Sequence, residues 1–412
     1  MNQVIKHDRY LKILLICLAV FIQQSTLVAS FNASLSDVVL ILLCIHIWRH
    51  YRKLMRGKSF ILFFVLLICY RFCVTIGILF LDSYMTLTMK EILASVIKIS
   101  VTFTYFILGY NLVKFKNEIP SFFKAYIISS AVIGWICILG SLTQQAFIVK
   151  YFFFDDIRAQ GLMNDPNYFA LTQMVALCLS VNLIKNNVWR ALAVLTAVCA
   201  IFSSGSKTAL IIMIIISVAL FLIKFSNITI KSYLNIAVIA AIFILFVFIF
   251  MNFKVINFEI FKQIPSVERM MTVFSGTSAI DDSGSNRLAV WENGLEIIKY
   301  TLGFGVGLFD YSHVGLTINH VGEVAHNTYI QIVGEWGIIF SGAFFCFIAS
   351  ILIRIFRTRP FEVFSCLFVS YLAIIIYSFT ISLNNSRFVA IAIGLLTAYA
   401  AWKDKVRGDA DE

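Results

Sequence analysis

The sequence predicts an all-α membrane protein with about twelve transmembrane helices and one large outer loop. Three observations carry that expectation. Of the 412 residues, 60% are hydrophobic and only 13% are charged, with 40 Phe against four Pro. A soluble domain cannot hide that much apolar surface. Long apolar runs recur from end to end, each near the roughly 20 residues that cross a bilayer as a helix. The runs are continuous rather than alternating, which excludes a barrel of short strands.

Taken in order, the runs place helices at 11–29, 32–48, 60–81, 90–113, 121–143, 167–185, 188–204, 207–223, 232–252, 326–352, 361–382 and 387–402. The first follows "KHDRYLK" and so has the outline of a signal peptide. Its length and the even number of helices favour a retained span. Basic residues then orient the chain. The connections "RHYRKLMRGK", "KFKNEIPSFFK", "KNNVWR", "KFSNITIK" and "RIFRTRP", with both termini, carry about twice the Lys+Arg of the opposite set, although the opposite loops are longer. That basic set is cytoplasmic, and both ends lie inside. The outward set is 144–166, a turn near 205, the long loop 254–324 and a turn near 385. A loop of that length usually carries function. Short surface helices are expected in it around 259–274 and 286–300. No internal repeat, low-complexity tract or linker divides the chain, so 1–412 reads as a single transmembrane domain.

The excess of 33 Lys+Arg over 22 Asp+Glu would suggest nucleic acid in a soluble protein. Topology explains it here, and no nucleic-acid partner is expected. All nine cysteines fall inside apolar segments and none has metal-ligand spacing. They read as small buried hydrophobes rather than disulfides or zinc ligands.

Four polar clusters interrupt the apolar text, all on the outer side. In "DDIRAQGLMNDPNYFA" (155–170), Arg158 precedes a helix start at which Pro166 fits the first turn and Asn or Asp residues fit the cap. The plain reading is a capped loop with a surface arginine. In "SSGSKTALI" (203–211), Lys207 opens a helix after a very tight turn. Backbone N–H groups at a helix start and a cation make an anion site. The alternative is a snorkelling lysine. In "GSNRLAVWENGLEIIKYTLGFGVGLF" (284–309), Arg287, Leu288, Trp291 and Leu295 share one face of a helix suited to lie in the membrane interface. The run Gly303, Gly305, Gly307 lacks the strand–turn–helix setting of a nucleotide fingerprint and points to close backbone packing. In "EVAHNTYIQIVGEWG" (323–337), Glu323, His326 and Asn327 sit at the start of the tenth helix. A helix N-terminus disfavours imidazolium, so a neutral His326 could accept a proton, though a lone histidine is often only structural. Arg71 and Lys98 lie inside apolar spans, where a cation faces a cavity or a partner, or snorkels.

These four segments occur in the order seen in the O-antigen ligase and polymerase superfamily of bacterial membrane glycosyltransferases, which this chain resembles over roughly 155–345. The first five helices match only in being apolar. The resemblance implies a GT-C-like helical fold in the bacterial inner membrane. It implies transfer of a glycan from an undecaprenyl-diphosphate carrier to an acceptor sugar outside the cytoplasm, with no nucleotide sugar, cofactor or metal. The acceptor is another lipid-linked repeat unit for a polymerase and lipid A–core for a ligase. A chain-length regulator and a flippase are the implied protein partners. The family histidine before Asn falls on His326, the arginine before "LAVW" on Arg287 and the arginine before Gly on Arg158. The tight-turn arginine is replaced by Lys207. The loop 254–324 would then carry part of the active site.

Chemistry agrees with that assignment. The leaving group departs as a lipid diphosphate, and cations can stabilise its charge. Arg offers a planar fork to phosphate and Lys a point charge. The acceptor hydroxyl is too weak an acid to attack unaided, so His326 would take its proton. Attack opposite the leaving group predicts inversion. Diphosphate is already a good leaving group, so the paired carboxylates of glycosidases are not needed. Glu323, Asn327 and Arg71 are candidate supporting residues. A repeat-unit polymerase for O-antigen, capsule or exopolysaccharide is the leading reading, with a ligase as its first rival. A transporter or flippase using Arg71 and Lys98 should carry polar residues near the midplane in both halves, whereas the clusters here gather on one face. A scaffold without chemistry leaves the outer cations unexplained. The orientation is testable: cysteine tags at positions 280 and 312 should react with an impermeant thiol reagent from outside, and tags at 54 and 356 should not.

Overall fold

The computed structural model describes residues 8–25, 33–52, 57–81, 85–115, 117–225, 264–271, 287–358 and 362–411. It is mostly helical: α1 (Arg9–Phe21), α2 (Leu35–Tyr51), α3 (Lys58–Leu81), α4 (Met89–Leu112), α5 (Ile119–Thr143), α6 (Ala146–Phe152), α7 (Pro166–Leu183), α8 (Asn187–Ser203), α9 (Lys207–Phe225), α10 (Pro265–Met271), α11 (Arg287–Tyr300), α12 (Tyr311–Asn319), α13 (Thr328–Thr358), α14 (Glu362–Tyr377) and α15 (Arg387–Asp411). Two-residue strands β1 (Phe153–Phe154) and β2 (Arg158–Ala159) pair antiparallel. Among the described residues four segments have the length and hydropathy to cross a membrane: Lys58–Leu81, Met89–Phe115, Ile119–Thr143 and Thr328–Ile355. Others, such as Asn187–Ser203 and Arg387–Ala401, are apolar but shorter. Twelve spans are therefore more than the described helices supply, and the expected helix at 232–252 lies outside the described residues.

Helix starts follow the local chemistry of capping. Asp8 accepts from Leu11 N at 3.1 Å ahead of α1. Thr88 and Glu91 exchange a reciprocal capping box on α4. Asp165 caps α7 with Pro166 at its first position, as the sequence led us to expect. Asn186 accepts from Val188 N and Trp189 N ahead of α8. Several expected boundaries shift. The first helix ends at Phe21 rather than 29, and the tenth begins at Thr328 rather than 326. The segment 144–166, expected as an outer connection, is not a plain loop, because it holds α6 and the β1–β2 hairpin. A two-residue ladder is too short to show a periodic pattern. The cysteines are also less buried than expected. Cys137 and Cys178 are buried, whereas Cys69, Cys73 and Cys346 are exposed on outward faces of apolar helices.

The chain divides into two compact units, Met1–Ser129 with Asn286–Glu412, and Ser130–Ser285. The second unit packs Ile133, Cys137, Phe153, Ala159, Phe169 and Ala200 into one core, so the hairpin closes onto α5, α7 and α8. In the first unit α4 and α15 cross with almost no side-chain spacer. A Cβ on Gly109 would come within 2.9 Å of Ile391 Cα, and one on Gly394 within 2.7 Å of Tyr110 N. Small residues let helix backbones approach this way in apolar surroundings. At the start of α15, Arg387 grips Asp37 of α2 through both carboxylate oxygens, at 2.8 and 2.7 Å.

The long helix α13 kinks at Gly337, whose backbone leaves the helical region (φ 75°, ψ 165°). A kink strips backbone groups of their helical partners, and those groups must be satisfied elsewhere. The glycine loop after α11 supplies the partners. Val306 N donates to Gly334 O at 2.8 Å, and Ile338 N donates to Gly303 O at 2.8 Å. Gly303, Gly305 and Gly307 all take positive φ, and a Cβ on Gly305 would lie 2.6 Å from Gly337 N. The expectation of close backbone packing is met here. The Arg71 Nε in turn donates to Gly307 O, and Thr75 Oγ1 accepts from Leu308 N at 2.7 Å. Arg71 thus faces a partner, as an intramembrane cation should. Gly305→Ala should cost more than about 2 kcal/mol through left-handed strain and the clash. It should lower the thermal midpoint in detergent, while Gly342→Ala, which meets nothing within 4 Å, should leave it unchanged or raise it.

Candidate functional site

Each unit carries its own polar constellation. In the first, the chain reaches α13 through a turn whose parts have separate jobs. Asn327 Oδ1 accepts from Tyr329 N at 3.0 Å and Ile330 N at 3.2 Å, which makes Asn327 the helix cap. Thr328 locks the turn onto the chain after α14: its N donates to Ser378 O at 2.7 Å, its Oγ1 donates to Ile381 O at 2.6 Å, and Leu383 N donates to that Oγ1 at 2.9 Å. His326 is one residue outside the cap, half-buried, with its backbone in the left-handed region at φ 45°. That conformation is uncommon for a residue with a Cβ and is held by its surroundings. Glu323 is exposed, three residues upstream. Asn327 is therefore committed to the scaffold, and it is His326 that the turn displays.

Arg287 opens α11 and is half-buried. Gly294 of α11 touches Ile330 of α13, and Gly303, just past α11, touches Ile338. Contacts that advance together mean the two helices run parallel, so Arg287 lies at the end of the unit that carries His326. Of the α11 face expected to meet lipid, Leu288 and Leu295 are exposed, whereas Arg287 and Trp291 are half-buried with the indole nitrogen of Trp291 buried; Val290, Asn293, Gly294 and Ile297 form the buried face. The third short helix of the loop, α12, was not foreseen. It is capped by Asp310, ends at the left-handed His320, and carries a glycine at its centre that masks its helical signal.

The first unit also holds two cavities. One, of about 360 Å³, is almost wholly apolar and lined by Phe60, Phe103, Phe106, Tyr329, Trp336 and Tyr371 among others. Thr328, Asn384 and Ser386 line it as well, so it reaches to within two residues of His326 in sequence. The other, of about 70 Å³, is polar and bounded by Arg71, Glu91, Lys98, Asp310, Tyr311 and Glu335. Lys98 pairs with Asp310 at 3.4 Å and His313 with Glu91 at 2.8 Å. Burial first, and the Glu335 charge second, push the Tyr311 phenol well up, so it stays neutral.

The second unit gathers cations around the 203–206 turn. Gly205 takes φ 60°, and Lys207 is the first residue of α9. Arg158, on β2, donates from Nε to Ser204 O at 3.1 Å and from Nη2 to Asn167 Oδ1 at 3.4 Å. Ser206 Oγ also donates to that Asn167 oxygen, at 2.8 Å. The hairpin, the start of α7 and the start of α9 are thereby drawn to one place. Helix α10 closes over the same turn, with Ser266 O 3.2 Å from where a Cβ of Gly205 would be. It brings Arg269 close enough to Lys207 for the two charges to repel. The sequence reading placed a helix here but passed over Arg269. The available signal was an arginine in the same outer loop as Arg287. Like charges brought together at a helix N-terminus make a site for an anion.

Comparison with family models adds an independent line. Residues 192–345 match the O-antigen ligase family model. The resemblance read from the motifs is borne out over that stretch, which contains Lys207, Arg269, Arg287 and His326 and leaves Arg158 upstream. O-antigen ligase and polymerase-type glycan transfer, by an integral membrane protein acting on lipid-linked glycan and an acceptor, is what the family implies. Comparison with curated proteins and with solved structures gives no match. The division of labour in the turn is checked by stability. Asn327→Ala should lose about 1 kcal/mol of cap energy and lower the thermal midpoint. His326→Ala, which removes no cap, should lower the midpoint less than Asn327→Ala does.

Proposed function

We propose that the protein transfers an undecaprenyl-diphosphate-linked glycan to an acceptor sugar hydroxyl at the outer face of the bacterial inner membrane, as a repeat-unit polymerase. The observation that carries this reading is the setting of His326. A proton acceptor on a strained turn, with an aromatic cavity that begins two residues along the chain at Thr328, suits a reaction whose donor has an isoprenoid tail and a reactive head. The cavity, from its lining, suits the tail. In this reading His326 takes the proton from the acceptor hydroxyl as its oxygen bonds to the anomeric carbon. The bond from that carbon to the phosphate oxygen breaks on the opposite side, so the product is inverted. The diphosphate leaves with its electron pair and charge, and Arg158, Lys207 and Arg287 are assigned to it, joined by Arg269. Cationic side chains supply the stabilisation a metal would otherwise give. Glu323 is left without a role in this scheme.

A ligase that transfers the finished glycan to lipid A–core uses the same groups and differs only in acceptor. The test is therefore a reconstitution. Purified protein is mixed with lipid-linked repeat units, with and without core lipid. Laddered lipid-linked products without core are expected. Transfer only when core is present would establish the ligase instead. His326→Ala should reduce product by about 10²–10⁴-fold at matched protein level. Normal product would return the residue to a structural role. For Lys207, the Arg variant should retain activity, with a modest loss allowed for its bulk, and the Gln variant should lose most of it. Near-normal output from Lys207→Gln would remove it from the diphosphate site.

A further inference from the structure

Behind His326 lies a chain of side-chain amides and a carboxylate that the mechanism has not used. Gln331, one turn into α13, is buried. Its Oε1 accepts from the backbone N of Ala325 at 2.8 Å and from Ser382 Oγ at 3.3 Å. Its Nε2 donates to Glu335 Oε1 at 2.7 Å. That same carboxylate oxygen accepts from Asn384 Nδ2 at 3.0 Å. The orientation of the Gln331 amide follows from its partners. A backbone N–H can only donate, so the amide oxygen must face Ala325. The carboxylate at the other end, accepting two N–H bonds, holds the NH₂ group away from Ala325.

We infer that Gln331 and Glu335 are positioning residues that set the geometry of His326. Three features support this. Ala325 is fully buried and immediately precedes His326, so the bond to its N–H fixes the Val324–Ala325 peptide, one residue ahead of the left-handed position. Without that bond a buried donor would be stranded, and the φ of 45° at His326 would lose a restraint. The network also joins the same turn to Ser382 and Asn384, beyond α14, so that the turn is tied both to α13 and to that segment. Orientation matters here because a misplacement of about 1 Å can cost on the order of 10²-fold in rate.

The inference rests on His326 being the base, and the experiment separates the two claims. Initial rates are measured in the reconstituted reaction as donor concentration is varied. Gln331→Met keeps the shape and removes both polar ends. It should lower kcat by about 10- to 100-fold and leave KM for the donor within about twofold. Exchanging the pair, Gln331→Glu with Glu335→Gln, keeps the network with one amide turned over: a carboxylate oxygen accepts from Ala325 N, and the new NH₂ group, standing where one oxygen accepted both bonds, donates to the other carboxylate oxygen and to Asn384 Oδ1. The exchanged protein should keep kcat within about fivefold of the parent, whereas Gln331→Met should not. Where Gln331→Met does not fold, the exchanged protein carries the test, since a folded exchanged protein with kcat still low would overturn the role, and where Gln331→Met folds, a network that is only structural would lower its thermal midpoint and leave its kcat near the parent's. Parent-like kcat in Gln331→Met, a change confined to KM, or an exchanged pair as slow as Gln331→Met would overturn the positioning role. If His326→Ala itself remained active, the proposed base would fail instead.

Discussion

A helix that breaks inside an apolar body leaves backbone groups that water cannot reach, and the first unit is organised around that constraint. The break at Gly337 of α13 exposes the Gly334 carbonyl and the Ile338 amide. Only another backbone can come close enough to satisfy both, and only residues without Cβ atoms let it come that close. The loop 303–307 meets both conditions, and Arg71 and Thr75 hold it there. Through that loop α11 is fixed along α13, and with it the end of the unit that bears Arg287 and His326. The buried Arg71 thus belongs to the scaffold that holds α11 along α13.

The same economy runs through the motif around His326. Asn327 caps, Thr328 clasps the segment after α14, and Gln331 and Glu335 stiffen the turn from behind. Polar residues in such a motif are easily read as a reacting set. Most here are occupied in satisfying backbone donors, because an unmet buried N–H costs more than a hydrogen bond contributes. In the second unit the turn at Gly205 is similarly braced by Ser204, Ser206 and Asn167, while the cations stand around it.

Much of this was legible in the sequence, for local reasons. Cap and proline signals located the starts of α7 and α9 to within a residue, and the alternation of apolar runs with basic connections described a polytopic membrane chain. The Gly-x-Gly-x-Gly run announced a tight backbone contact but not its partner. Other elements were hidden. The hairpin bearing Arg158 is two residues a side, below any periodicity, and its turn relies on the left-handed Asp155 and Asp156. Helix α12 is nine residues with a central glycine. Arg269 drew no notice because its significance is the nearness of Lys207, which is sixty-odd positions away along the chain.

By itself, then, the sequence determined the membrane-protein class, the order of the polar motifs and the residue types able to bear a phosphate or accept a proton. Hydropathy, capping and charge are properties of neighbours in the chain, so a linear text contains them. The tertiary structure decided how each of those residues is held and which of them are bound into the frame. It spent Asn327 on a cap and Arg71 on a loop, presented His326 on a strained turn, and joined Asp37 to Arg387 and Ala325 to Glu335 by way of Gln331. Those outcomes depend on directional hydrogen bonds between distant segments. Their geometry exists only once the helices have packed.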